Sequence, residues 1–410
     1  MKCPGTSNAE AMYVTFVTIP KSPEMENSDI TTNIIDLSKL TDGIVSIEID
    51  QSIRVAGSIS NQRVKHAWLT VKATNSLPNL LNELQVRRTN VAPQVGDCVL
   101  LKVAKVSQHS RIFDQHNNSC RIFGGDYITG VLGLRYATDA FHAKDIDPTN
   151  LHILTNAGLI GTVSESHTSK KVPTRVELIG YLCDERGERI NYFDRLYRSW
   201  DHMPNDIHPV FVVGTGMNSG KTTSTARLGQ HLVSRGYKVA ILKLTGSGCS
   251  NDVLEFSATG AEFVADFSDY GFPSTYLRSL SELESLYRRM LTDASERQPD
   301  VVLIEIADGI FQRETEMLLQ SPLIRDSSSG VVLTALCSAS AMTATKVLRD
   351  YSWNPICVTG LITNSPLFVQ EFSTRNPTPV GDTNRGIGET CGLIMSHVRD
   401  RKHRLSSAVA

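Results

Sequence analysis

Between Val210 and Thr223 the chain reads Val-Phe-Val-Val-Gly-Thr-Gly-Met-Asn-Ser-Gly-Lys-Thr-Thr, a set of residue types suited to holding an anion. Gly214, Gly216 and Gly220 let the backbone turn tightly, so that successive N–H groups converge on phosphate oxygens. Lys221 adds a cation for the terminal phosphates, and the Thr222 hydroxyl is spaced to bind Mg²⁺. Thr215, Asn218, Ser219 and Thr223 complete the candidate cradle. The apolar run before the glycines and the helical segment after them predict a strand, a loop and a helix. The positive end of that helix would face the anion.

Acids and a second lysine follow at the ends of later apolar runs. Val239-Ala240-Ile241-Leu242 ends on Lys243. Open α/β sheets bind ligands at the carboxyl ends of their strands, which would set Lys243 before the phosphates; a solvated lysine at a strand end is the plainer alternative. Asp252 follows a loop containing Gly246 and Gly248, and is either a second carboxylate near Mg²⁺ or a helix N-cap. The run Val301 to Ile306 delivers Glu305 and then Asp308. An acid there can hold Mg²⁺ directly or through water, so Glu305 is the favoured metal ligand. Asp308 adds a second acid, acts as general base, or only starts an Asp-Gly turn. Asn364 closes another run; its amide offers a donor and an acceptor to a base edge, or simply makes a turn. Cys249 is held open as a thiol beside the site, against the commoner reading of a reduced, buried cysteine. Arg313 either grips an anionic substrate or pairs with Glu314 or Glu316.

In its strand–loop–helix context the Val210–Thr223 segment is a P-loop motif. The usual spacing puts a glycine six residues before the lysine, whereas here that position is Thr215 and the glycine is Gly214. This longer form resembles dethiobiotin synthetase and its relatives, P-loop enzymes that phosphorylate or activate small carboxylates and amines. The resemblance runs in motif order from Val210 to Val380. It implies that Lys243 ends the family's lysine-bearing strand, that Glu305 is the metal-binding acid and Gly309 a loop glycine, and that Asn364 reads the adenine edge. Asp308 departs from the pattern. Phe267–Tyr276 and Phe311–Glu316 also lie outside it and are expected to shape a different substrate pocket.

The resemblance implies ATP and Mg²⁺ as cofactors, a kinase- or ligase-type phosphoryl transfer to a small carboxylate or amine, and a homodimer. The dethiobiotin reaction itself is not expected, given the additional domain and the altered segments. Two other functions stay open. One is acyl transfer, with the loop holding the phosphates of coenzyme A, which resembles what some D-glutamate N-acetyltransferases do on this architecture. The other is a nucleotide-switched binding protein. Against the latter, Gly216 stands where partition-type ATPase switches carry a signature lysine, and no His/Cys metal tract is present.

Positioning such a site takes a parallel sheet covered on both faces. From Val210 onward, continuous apolar runs alternate with helical segments (Thr223 to Arg235, Leu280 to Ser295, Ala341 to Tyr351, Glu389 to Arg404), which predicts a doubly wound α/β domain over residues 205–405. Residues 46–200 carry short apolar, β-branched segments such as Trp68–Lys72, Cys98–Val106 and Cys120–Phe123. Turn residues at Gly96-Asp97 and Gly124-Gly125-Asp126 break them, which predicts a small, mostly β, barrel-like domain. His109, Arg111, Arg135 and Tyr136 either line a binding face of it or, as is commoner for such residues, are ordinary surface positions. Residues 1–45, rich in Ser, Thr, Asn, Pro and Glu, are expected to be a flexible arm.

The 410 residues suffice for two or three domains. A net charge of -2 speaks against nucleic acid as a partner. No apolar run reaches the roughly 18 residues of a membrane span, and the N-terminus lacks a secretory pattern, so a cytoplasmic protein without a membrane partner is expected. The eight cysteines form no CxxC pair or Cys/His cluster. A nucleotide and a small-molecule substrate are the expected partners.

Overall fold

The computed structural model describes residues 64–74, 85–88, 91–114 and 116–409; the arm of residues 1–45 lies outside them. The described residues belong to one compact unit. Among the described residues no helix is long and apolar enough to cross a membrane.

The short alternating segments build the first sheet. Its region contains β1 (Gln85–Arg87), β2 (Cys98–Lys105), β3 (Arg111–Phe113), β4 (Ser119–Arg121), β5 (Tyr127–Leu132), β6 (Phe141–His142), β7 (Leu151–Ile153), β8 (Leu159–Gly161), β9 (Glu165–Ser166) and β10 (Arg175–Cys183). Strands β10, β2, β5, β8 and β7 pair in that order, and β7 pairs back onto β10, closing a five-stranded barrel as the sequence predicts. Closure removes the unpaired edges that an open sheet of this size would expose. Along β2, Val99, Leu101 and Val103 enter one apolar cluster while Cys98 and Leu100 enter another, as the two-residue period of a strand requires.

Trp68–Lys72 is not a strand. It belongs to the helix α1 (Trp68–Thr74), because burial here outweighs the β-branched character of Thr70 and Val71. Leu69 N–H donates to the Ala157 carbonyl at 3.0 Å, and the Lys72 ammonium reaches Ser268 Oγ at 2.7 Å and Asp269 at 2.6 Å. A packed helix seats the barrel on the second sheet where an extended segment was expected.

After α2 (Tyr192–Leu196) the texture changes. Six fully parallel strands, β11 (Val210–Gly214), β12 (Val239–Lys243), β13 (Phe263–Asp266), β14 (Val301–Glu305), β15 (Gly330–Thr334) and β16 (Pro355–Thr359), form a sheet of order β13-β12-β14-β11-β15-β16. The helices are α3 (Lys221–Ser234), α4 (Ser250–Ser257), α5 (Leu280–Ser295), α6 (Arg313–Gln320), α7 (Pro322–Ser327), α8 (Ser338–Asp350), α9 (Pro366–Ser373) and α10 (Ile387–Val409). They cover both faces. Val210, Val212, Val239 and Ile241 pack with apolar residues of α3, α4 and α10, whereas Phe211, Val213, Ala240 and Leu242 pack with α5, α6, α8 and α9. Strands buried on both sides need apolar residues at every position, which is why their runs do not alternate.

The connector between the sheets is seated on α5. Trp200 donates its backbone N–H to Ser285 Oγ at 2.7 Å and its indole N–H to Thr292 Oγ1 at 3.0 Å. The segment Phe267–Tyr276, expected to shape a substrate pocket, mostly does other work. Phe267 and Phe272 are fully buried, the Tyr192 hydroxyl donates to the Ser268 carbonyl at 2.6 Å, and Phe272 meets Phe193 and Tyr197 edge-on. It wedges the barrel against the parallel sheet, and its end holds the loop that follows β12, where Gly248 N–H donates to the Pro273 carbonyl at 2.9 Å and Thr275 N–H to the Gly246 carbonyl at 3.0 Å.

Candidate phosphate site

At the carboxyl end of β11 the chain turns through Thr215–Gly220 and enters α3 at Lys221. Strand order reverses beside β11, the position where open α/β sheets leave a crevice. Three neighbouring strand ends grip the turn. Thr215 N–H donates to the Thr334 carbonyl (2.9 Å), Ile310 N–H to the Gly214 carbonyl (3.0 Å) and Leu361 N–H to the Ser219 carbonyl (3.2 Å). The hydroxyls of Ser219 and Thr334 lie 2.8 Å apart. Two glycines allow this grip. A Cβ on Gly309 would stand 2.8 Å from Gly216 Cα, and one on Gly360, whose φ is 87°, would stand 2.3 Å from the Ser219 carbonyl oxygen. Thr334 and Gly360 were not singled out from the sequence; an apolar run ending in Thr, and a glycine after β16, are the only signals they give.

That close approach makes Gly360→Ala a test of the clamp. Overlap and positive-φ strain together are expected to lower stability by about 1–3 kcal/mol. Urea unfolding measures it, and a loss below about 0.5 kcal/mol would mean that the loop yields freely.

Lys221 is buried and donates to the Gly216 carbonyl at 2.9 Å. Burial lowers its pKa, opposed by the charges of Glu305 and Asp308. Thr222 is half-buried in the first turn of α3, while Thr223 and Asn218 are exposed. Asn218 does not end in solvent: its side-chain amide donates to Asp139 of the barrel.

Lys243, Asp252 and Glu305 come together as one cluster. The Lys243 ammonium donates to Glu305 Oε1 at 2.8 Å and also to Asp252. Burial works against that charge, yet the two carboxylates hold the pKa above its ordinary value. Lys243 is therefore not a solvated strand-end lysine, and its ammonium is bound to acids of the protein. Asp252 is not the N-cap of α4 either, since Cys249 takes that position and Asp252 lies in the first turn. Glu305 is 1% exposed, and its second oxygen, Oε2, is buried without a hydrogen-bond partner. A buried carboxylate oxygen left unpaired is costly, and it fits a ligand such as a cation.

Asp308 follows Ala307, whose carbonyl is fixed by the hydroxyls of Thr245 at 2.5 Å and Thr315 at 2.8 Å. Burial raises the Asp308 pKa against the pull of Lys221, Lys243 and Arg135. Cys249 goes the other way from an activated thiol, because burial and then Asp252 raise its pKa. Arg313 pairs with Glu314 at 2.6 Å and donates to the Arg278 carbonyl at 2.9 Å, which supports the ion pair rather than a substrate grip, although the Glu314 carboxylate is buried instead of lying on a helix surface. Asn364 is exposed at the end of the turn that follows Gly360.

Strand, clamped glycine loop, helix start at Lys221 and acid-bearing neighbouring strand occupy the places that define a phosphate-binding loop. The domain has the P-loop fold. No protein family model and no curated protein sequence matches the chain. Among solved structures it is similar to the signal recognition particle receptor FtsY from Elizabethkingia anophelis, at 17% identity over 48% of this chain and 66% of that one, with a TM-score of 0.33. Signal recognition particle 54 kDa protein from Aeropyrum pernix K1, in complex with GDP, matches at 18% identity over 50% of this chain and 51% of its own, with a TM-score of 0.32. The kinase domain of Escherichia coli tyrosine kinase ETK matches at 15% identity over 40% and 71%, with a TM-score of 0.28. The P-loop fold rests on the chain's own strand order and loop geometry.

Proposed function

We propose that the protein is an enzyme that uses ATP and Mg²⁺ to phosphorylate a small carboxylate or amine, as a kinase or a ligase does. The observation that carries this reading is the orphaned Glu305 Oε2, buried on the strand next to the phosphate loop. Among the described residues no group of three or more His, Cys, Asp or Glu is placed to hold a metal by itself. Mg²⁺ is commonly held by one or two carboxylates together with the phosphates of a substrate, and Glu305, Thr222 and Asp252 fit that kind of site. When bound, the ion would neutralise charge on the terminal phosphates.

The remaining roles belong to the chain. Lys221 exchanges the Gly216 carbonyl for the β- and γ-phosphates, and backbone N–H groups of Gly216–Gly220 bind their oxygens. Lys243 holds Glu305 in place from the protein side and adds positive charge behind the γ-phosphate. An acceptor oxygen or nitrogen bonds to the γ-phosphorus as the bond to the ADP oxygen breaks; an acceptor that carries a proton gives it to Asp308, whose raised pKa suits a general base. Asn364 reads the adenine edge. The loop length and the order of Lys243, Glu305 and Gly309 support the dethiobiotin synthetase-like branch, and with it a homodimer.

Calorimetry with ATP, GTP and acetyl-CoA, each with and without Mg²⁺, tests the reading. ATP is expected to bind only with Mg²⁺, and Lys221→Ala to weaken it at least tenfold, the loss of one strong charge-assisted contact. Binding of acetyl-CoA alone, without metal, would replace phosphoryl transfer by acyl transfer.

A further inference from the structure

The phosphate loop is approached from a second side. A barrel loop joins β5 to β6 and is anchored at three points. At its base, Arg135 and Ala143 exchange two backbone hydrogen bonds of 2.8 Å. At its crest, Asp139 accepts from Asn218 of the phosphate loop. Beyond it, His142 Nε2 lies 3.0 Å from the Tyr276 hydroxyl, with the Tyr136 ring 5.6 Å from that of Tyr276. These contacts fix a barrel side chain, Arg135, beside the parallel sheet.

Arg135 is only partly satisfied. One terminal nitrogen donates to the Leu154 carbonyl, whereas Nε is buried and has no hydrogen-bond partner. A guanidinium presents five N–H donors in a fixed fork and does not give up its charge, so it cannot relieve a missing partner by deprotonating. Its charge acts on Asp308, Cys249 and Asp139. Asp308 directly precedes Gly309, and Gly309 lies against Gly216 of the phosphate loop. Arg135 thus belongs to the side of the loop where Lys221 and Asp308 also act on each other, which is the terminal-phosphate side in the reading above.

We propose that Arg135 is an arginine supplied in cis by the barrel to grip the terminal phosphate of the nucleotide held in the phosphate loop. This rests on the nucleotide-binding reading and adds a catalytic residue from another part of the chain. The planar fork matches two phosphate oxygens, and the partnerless Nε–H is the donor the phosphate completes. During transfer the γ-phosphoryl group spreads its charge over its equatorial oxygens, where such an arginine accelerates related reactions by about 10³–10⁵. It also assigns the barrel a purpose, since barrel and P-loop must meet for the site to be complete.

The test uses the full chain with Mg²⁺, and compares ADP with ADP plus aluminium fluoride, which mimics the transferring phosphoryl group. The wild type is expected to bind the fluoride complex more tightly than ADP. Arg135→Ala should leave ADP affinity within about twofold and reduce the extra affinity at least tenfold, the loss of a charge-assisted pair. Because Arg135 also bonds the Leu154 carbonyl, circular dichroism must show that the variant is folded. Should it not fold, Arg135→Lys, which keeps charge and stem but loses the fork, is expected to lose at least about threefold of the gain. An undiminished gain in a folded variant overturns the proposal and leaves the nucleotide reading intact. A wild type that binds no nucleotide overturns both.

Discussion

Replacing Lys243 with Met is expected to destabilise the folded chain by about 3–5 kcal/mol, the usual loss when one partner of a buried ion pair is removed. Lys243 and Glu305 are 7% and 1% exposed, and their 2.8 Å contact is the only hydrogen bond recorded for the Glu305 carboxylate among the described residues. Without the ammonium, Glu305 keeps a buried charge whose remaining cationic neighbour, Lys221, interacts with it only through space. Asp252 is better placed to tolerate the change, because its side chain is 26% exposed and water can take over. Urea unfolding of Lys243→Met, Glu305→Gln and the double variant resolves the pair. The double variant should recover most of the loss, since no uncompensated charge stays buried. If Lys243→Met costs less than about 1 kcal/mol, the cluster is hydrated and the argument from burial fails.

The parts of this site that lie along one strand or loop could be read from the sequence, because each is announced by a change in pattern. Unbroken apolar runs mark β11, β12, β14, β15 and β16, and their polar ends deliver Lys221, Lys243, Glu305 and Asp308 to one edge. Helix α5 falls on the predicted residues Leu280–Ser295, where Ser279 and Glu282 form a capping box. What connects distant segments was not legible. Thr334 and Gly360 matter because they touch Ser219, and nothing local to either announces that contact. Arg135 was visible as a polar barrel residue, but its relation to Asp308 spans more than half the parallel domain's sequence and needs the folded packing. Trp68–Lys72 misled for a related reason: a short apolar, β-branched segment takes its conformation from what it packs on.

Asp308→Asn is expected to cut ATP turnover by about 10²–10⁴ while making the protein more stable at neutral pH. Both effects have one cause. Burial raises the Asp308 pKa, and the nearby cations Lys221, Lys243 and Arg135 only partly offset it. A carboxyl whose pKa is higher in the folded than in the unfolded chain binds more protons when folded, so the wild type gains stability as pH falls. Above the folded pKa the carboxylate is charged in both states, and the full burial cost is present. Below the ordinary carboxylate range it is neutral in both, and the cost is gone. The asparagine variant never carries that cost, so its advantage should be greatest at neutral pH and close as the pH drops through the raised pKa toward roughly pH 4. Urea unfolding over that range, beside turnover on the same samples, separates the roles of this residue. A loss of turnover with the pH-dependent gain fits a general base held ready by burial. Unchanged turnover would reduce Asp308 to the first residue of an Asp-Gly turn, and equal stabilisation at every pH would mean that its charge is not what burial acts on.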